Sequence, residues 1–469
     1  MGSYRYEAFT SVIEKNIREG IYKPGHKLPS VRELKEQYNT SMSTIQNGYE
    51  YLVIRGLVDS IPRSGYYVST QFEKLKKTAA GPVQPIIRDD LFQHNLAFIT
   101  STGIARHNVS EFNVVAPGDL MLPQKLLLRT MQQVIREFGA GLLRYYPANG
   151  SVALRTNIAK RAAGYNTRLV PEELIITDGA LQALYIALAS VCKAGDVVAV
   201  ESPCIFSALE VIRVLKFKVI EIPMCGHDGY AIEALKSACA FAPVKAILVT
   251  PNFHNPTGIL LSDEQKKEIL AVAQQYEIAL IENDIYGDLN FSGVRPANIK
   301  SFDQSGLVMT YSSYSKTLAA GIRLGWLSAG RFFKEAEQIK FSLGSTVSPI
   351  YQETVNKLLE SGSYDRHIRR YKMQLAQNAY YTINLLATHF PENTELVHPA
   401  GGYNIWFKMP EETNMDEFYA RCEQIGVKFT PGHTFSFTDA FHQYFRLVFA
   451  DKYSAKRKAV LKLAGQQLK

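Results

Sequence analysis

The chain has no apolar run approaching the ~18 residues that a membrane-crossing helix needs, which excludes a helical membrane protein. Its N-terminal stretch, Met1-Gly-Ser-Tyr-Arg-Tyr-Glu7, has no basic patch feeding an apolar segment, so no secretory leader is visible. Cysteine is scarce: Cys192, Cys204, Cys225, Cys239 and Cys422 are odd in number and form no C-x-x-C pair, which argues against a disulfide framework or a zinc site. His254, His433 and His442 show no metal-ligand spacing, so no metal is expected. These absences predict reduced thiols and a cytoplasmic location. Internal repeats and low-complexity tracts are also missing. What remains is an ordinary globular composition, 46% hydrophobic and 20% charged, over 469 residues. That length suits two or three domains.

The net charge of +8 is unevenly spread. Residues 1–77 hold 12 Lys/Arg against 8 Asp/Glu, so half of the excess sits on about a sixth of the chain. An excess of this kind is compatible with phosphate contacts.

The first 70 residues read as a separate unit. Phe9, Val12, Ile13 and Ile17 form a helical stripe within Tyr4–Glu19, and Gly20 stops it. Ser30 and Glu33 make a capping box for a short helix from Val31 to Tyr38. Ser41 or Ser43 caps a further helix through Ile54, with Ile45, Tyr49, Leu52 and Val53 facing inward. Leu57-Val-Asp-Ser-Ile61 and Gly65-Tyr-Tyr-Val-Ser69 read as a hairpin. Residues 71 to about 88 lack a sustained pattern and carry Gly81, Pro82 and Pro85, as a linker would.

From about residue 108, short apolar runs alternate with amphipathic helices. The runs are 174–177, 197–200, 218–222, 246–250, 279–282 and 307–312. Near-continuous apolar strands between helices predict an α/β fold, a mostly parallel sheet covered on both faces. A long helical stretch (335–390) follows. The last ~80 residues mix strands (402–407 and 444–449) with helices, as a smaller α+β lobe does. The expected organisation is therefore 1–70, a linker over 71–107, and 108–469.

Two short helices and a hairpin form a winged helix-turn-helix, whose second helix suits a major groove. Pro24-Gly-His-Lys-Leu-Pro-Ser-Val-Arg-Glu-Leu34, Ser43-Thr-Ile-Gln-Asn-Gly-Tyr-Glu-Tyr-Leu52 and Ser64-Gly-Tyr-Tyr-Val68 resemble the GntR family of bacterial regulators. The resemblance implies double-stranded operator DNA as partner. It places Arg32 on the DNA, Ser43, Thr44 and Gln46 near the groove, and Arg63 and Gly65 in the wing. Met42 stands where such families usually have arginine.

A second constellation offers what pyridoxal phosphate chemistry needs: a lysine for a Schiff base, a carboxylate for the pyridine nitrogen, a donor to the phenolic oxygen, and a phosphate cradle. In order these are Thr177-Asp-Gly-Ala-Leu-Gln182, Asn255-Pro-Thr-Gly258, Asp284-Ile-Tyr286 and Ser313-Tyr-Ser-Lys316 with Arg323. Several follow apolar strands, where ligands gather in open α/β sheets. The ensemble resembles the fold-type I aminotransferases of class I/II over roughly residues 108–469.

That resemblance implies pyridoxal 5'-phosphate as cofactor and Lys316 as the Schiff-base lysine. It assigns Asp284 to the pyridine nitrogen, and Asn255 and Tyr286 to the phenolic oxygen. Gly179, Ala180, Leu181, Ser313 and Arg323 make the phosphate cradle, and Tyr145 reaches the phosphate of the neighbouring subunit. Arg446 grips a substrate or effector carboxylate. Ile205 stands where a ring-stacking tyrosine is usual, leaving Phe206 as the candidate to stack. Asp178 stands beside the phosphate loop where serine or asparagine is usual.

Reader and aminotransferase-like domain in one chain resemble the MocR/GabR subgroup of GntR regulators. The implied function is a transcriptional regulator, a head-to-tail homodimer, whose large domain binds pyridoxal phosphate, with either a small amino compound or the coenzyme itself as effector. A catalytically active aminotransferase with an accessory DNA-binding domain is the competing reading.

Overall fold

The computed structural model describes residues 6–61, 64–70, 85–89, 110–225, 229–344, 346–438 and 440–466. The reader begins with α1 (Glu7–Arg18), followed by α2 (Val31–Gln37) and α3 (Met42–Ile54). Ser30 and Glu33 form the expected capping box: Ser30 N donates to Glu33 Oε2 at 2.6 Å, and Glu33 N donates to Ser30 Oγ at 3.2 Å. Of the two possible caps for α3, Ser41 is the one used, accepting from Thr44 N at 3.1 Å. Strands β1 (Val58–Ile61) and β2 (Gly65–Val68) pair antiparallel with Val58 opposite Val68.

Phe9, Ile13, Ile17, Leu34, Ile45, Tyr49, Leu52, Val58 and Val68 share one buried cluster. The rings of Tyr49 and Tyr66 stack with centroids 4.0 Å apart. Gly48 lets α1 and α3 approach closely, because a Cβ there would lie 2.1 Å from Phe9 Cζ.

The large domain is built on a nine-stranded sheet. Its order is Ile87–Arg88, Lys218–Cys225, Val197–Ser202, Val244–Val249, Ala279–Asn283, Val308–Ser313, Gly325–Ser328 and Leu174–Thr177, with Gly229–Tyr230 added beside Lys218–Cys225. The five strands from Lys218–Cys225 to Val308–Ser313 run parallel, and Gly325–Ser328 runs against its neighbours. Alternation explains the apolar runs. Val198 and Val200 enter one buried cluster, while Val197 and Ala199 enter another on the opposite face.

Several short strands had no sequence signal. Ile87–Arg88 comes from within the span read as linker and pairs antiparallel with Lys218–Cys225. Gly325–Ser328 lies just ahead of the helical stretch expected over 335–390. That stretch is three helices, Phe333–Ser342, Pro349–Glu360 and Ser363–His389. Pro349 opens the second, and Gly362, at φ +64°, precedes the third. The C-terminal lobe holds a four-stranded sheet ordered Glu395–Leu396, Asn404–Lys408, Tyr444–Val448 and Thr430–Pro431.

The reader rests against the large domain. Tyr6 OH donates to Phe291 O at 3.2 Å, Gly293 N donates to Glu7 Oε1 at 2.8 Å, and His398 Nδ1 lies 3.0 Å from Ile54 O. A cavity of about 550 Å³ opens where α3 meets the helix Ser363–His389.

Candidate cofactor and effector site

Strand ends of the large sheet and the C-terminal lobe enclose a cavity of about 320 Å³. Ala180, Leu181, Phe206, Asn255, Tyr286, Ser313, Lys316, Arg323 and Arg446, widely separated in sequence, all line it. Lys316 Nζ donates to Val115 O. Burial, then the nearby Arg446 and Arg323, lower the Lys316 pKa to about 8. Asn255 Nδ2 donates to Tyr286 OH at 3.4 Å, and Arg446 Nη1 donates to Asn255 Oδ1 at 3.0 Å.

The phosphate-cradle candidates meet at one end. Gly179 opens the helix Gly179–Val191 at φ +79°, and a Cβ there would lie 2.8 Å from Arg323 Nη2. Arg323 itself is left-handed, φ 45° and ψ 43°, an uncommon conformation for a residue with a side chain. It donates to Asp178 O at 3.1 Å. The Asp178 carboxylate does not cap the helix and stands 3.8 Å from Arg323 Nε. Ser313 Oγ donates to Leu324 O and accepts from Ser315 N. Free helix N–H groups, Arg323 and these hydroxyls make an anion-binding corner.

Arg446 is fully buried. Its Nη2 donates to Asn113 O at 2.7 Å and to Thr430 Oγ1 at 2.9 Å, while its Nε has no partner among the described residues. Burial lowers its pKa to about 10. Lys316, Arg323 and Arg446 give the cavity three cationic side chains, and among the described residues no Asp or Glu lines it. Buried cations without acidic partners suit a ligand that brings its own negative charge, such as a phosphate and a carboxylate.

The structure does not bring Asp284 into this cavity. Its carboxylate faces away and takes Arg295 Nη2 at 2.5 Å, Asn252 Nδ2 at 3.3 Å and Asn298 Nδ2 at 3.4 Å. Arg295 continues to Asp288 at 2.7 Å, which also accepts from Arg161 and from Tyr364 OH. The neighbouring residue, Asn283, lines the cavity instead. Successive side chains on an extended segment point to opposite sides, so only one of the two can face the site. That alternation was the available signal. Asn113 and Val115 were also missed, for they enter from a distant segment without a motif.

Phe206 lines the cavity, with Arg446 Cζ 5.9 Å from its ring centroid. Tyr145 is 91% exposed and outside its own chain's cavity. In the reader, Arg32, Ser43 and Gln46 are exposed. Thr44 is half-buried, 2.7 Å from Ser41 Oγ, and lines the cavity beside the helix Ser363–His389. Gly65 opens β2 at φ +117°, and Arg63 lies outside the described residues.

A winged reader joined to a fold-type I aminotransferase-like domain is the class that this architecture defines. The aminotransferase class I and II family matches residues 118–462, and the bacterial regulatory proteins of the gntR family match residues 5–68. The chain belongs to the MocR-type DNA-binding regulators of the GntR family, in which these two modules are fused. It is 32% identical to the HTH-type transcriptional regulator YjiR of Escherichia coli K12 over 473 residues, covering 98% of each chain. It is 30% identical to YdcR of the same organism over 464 residues, again covering 98% of each. Among solved structures, the multiple substrate aminotransferase of Thermococcus profundus matches with a TM-score of 0.73 at 23% identity, over 81% of this chain and 94% of that one. This last likeness speaks for the fold alone. Among the described residues, no helix is long and apolar enough to cross a membrane.

Proposed function

We propose that this regulator binds operator DNA through residues 1–70 and pyridoxal 5'-phosphate through residues 108–469, with 71–107 as the connecting linker. A carboxylate-bearing amino compound is its effector. The observation that carries this reading is the cavity lined from several strand ends, with three cationic side chains and, among the described residues, no acid. When bound, the cofactor supplies an aldehyde that combines reversibly with amines.

The chain's own residues do the rest. Lys316 offers an amine whose pKa, lowered to about 8, leaves about a tenth of it unprotonated at pH 7, far more than an ordinary lysine. Gly179, Ala180, Leu181, Ser313 and Arg323 hold the phosphate, Asn255 and Tyr286 hold the phenolic oxygen, and Phe206 covers the ring. Arg446, whose Nε is unpartnered among the described residues, takes the effector carboxylate. Arg32, Ser43, Thr44, Gln46, Arg63 and Gly65 are the DNA-facing set. The active form is a cytoplasmic head-to-tail homodimer, in which Tyr145 serves the neighbouring subunit's phosphate.

An effector that binds one arrangement of the readers better than another shifts DNA occupancy. The test is duplex binding to the chain's native upstream DNA, with and without pyridoxal phosphate and amino acids. A specific shift that changes with these ligands supports the reading, and no specific shift under any condition sinks it. Turnover against an amino-donor panel above a Lys316→Ala control would favour the competing enzyme reading.

A further inference from the structure

We infer that Asn283, and not Asp284, meets the pyridine nitrogen of the cofactor, and that it does so as a hydrogen-bond donor which keeps that nitrogen unprotonated. The inference rests on the proposal that the 320 Å³ cavity holds pyridoxal phosphate. Three observations carry it.

Asn283 ends the strand Ala279–Asn283 and lines the cavity, whereas Asp284 does not. The Asp284 carboxylate is already occupied by three donors, Arg295, Asn252 and Asn298, on the other side of the strand end. It also belongs to a buried set of two arginines and two aspartates, Arg161, Arg295, Asp284 and Asp288, that is neutral as a whole. Turning Asp284 toward the cavity would leave Arg295 buried without one of its two carboxylate partners, a costly change.

The orientation of the Asn283 amide is fixed as well. Its Oδ1 accepts from Ile285 N at 3.1 Å, and no described residue accepts from its Nδ2. The amide therefore presents N–H to the cavity, since flipping it would set N–H against N–H. A donor there suits a ring nitrogen with a free lone pair. A carboxylate would instead accept from a protonated ring nitrogen.

The remaining polar groups are spoken for by the proposed site. Asn255 and Tyr286 lie together, Ser313 and Arg323 sit at the anion corner, and Arg446 is held by Asn113 and Thr430. An unprotonated pyridine withdraws electrons weakly. The site is thus built to capture the cofactor and exchange its amine partner while promoting proton removal from a bound amino acid poorly. That combination suits a sensor.

The experiment uses the full chain loaded with pyridoxal phosphate labelled with 15N in the ring, read by NMR at pH 7. Unloaded wild-type protein at excess coenzyme would overturn the parent reading and is seen before any variant is compared. For loaded wild type, the expected signal is that of an unprotonated, hydrogen-bonded pyridine. Asn283→Asp is expected to move it to the pyridinium position and to speed amino-group transfer from an amino acid at least tenfold. Asn283→Ala, which removes the donor, is expected to weaken coenzyme retention roughly three- to tenfold. Asp284→Asn leaves the ring signal where it is. A pyridinium signal in the loaded wild type overturns the inference on its own, even if a variant fails to fold. A ring signal that responds to Asp284→Asn and not to Asn283→Asp overturns it too.

Discussion

Coenzyme capture is expected to rise steeply with pH and then flatten near pH 8. The attacking group is the neutral amine of Lys316, which shares its cavity with Arg446 and Arg323 and, among the described residues, with no carboxylate. Burial chiefly, then the two guanidiniums, brings its pKa down to about 8. At pH 7.5 about a quarter of such an amine is neutral, against about a thousandth for an ordinary lysine, a gain of roughly 240-fold. The profile is diagnostic: the neutral fraction grows about ninefold from pH 6 to 7, and only about 1.8-fold from pH 8 to 9. An unperturbed lysine would still gain about tenfold over that last step. The assay mixes coenzyme-free full chain with excess pyridoxal phosphate and follows visible absorbance from pH 6 to 9.5. Nα-acetyl-lysine measured in parallel cancels the coenzyme's own titration. A Lys316-dependent rate that keeps climbing about tenfold between pH 8 and 9 would refute the argument from burial and neighbouring charge.

Four further outcomes follow from the same geometry. Arg446→Gln removes one of the two cations facing Lys316, so the capture midpoint moves up; carboxylate effectors should also weaken at least tenfold in a spectral titration. Asp284→Ala leaves Arg295 without one of its buried partners and is expected to cost about 3–5 kcal/mol in urea unfolding of the large domain, with no such loss if the ion network is idle. Ser30→Ala removes the side chain that accepts from Glu33 N and should lower reader stability by about 1 kcal/mol in thermal melts. Gly48→Ala forces a methyl group against Phe9, and an expected loss of about 1–3 kcal/mol would be seen as a lower melting temperature and weaker duplex binding.

The parts of this molecule legible in the sequence are those whose physics is local. Ser30 and Glu33 are three residues apart and cap α2 without outside help. Ile45, Tyr49, Leu52 and Val53 fall on one helical face, and that face is buried. The parallel strands announce themselves because both faces are covered, as at Val197–Ser202. Gly325–Ser328 was missed because a four-residue strand beside a glycine carries little pattern, and its place comes from pairing with Val308–Ser313 and Leu174–Thr177. The site was legible as a set of residue types and harder to read in its orientations. Asn283 and Asp284 are adjacent, and only the fold settles which one turns inward. Asn113 and Val115 contribute backbone carbonyls to Arg446 and Lys316 from over 200 residues away, a contribution that no side-chain motif encodes.

The most direct test is reductive trapping: the full chain is equilibrated with pyridoxal phosphate, treated with borohydride, digested and analysed by peptide mass. The account predicts a coenzyme adduct on the peptide carrying Lys316, and its loss in Lys316→Ala. An unmodified Lys316 peptide, or label spread evenly over exposed lysines, would contradict it.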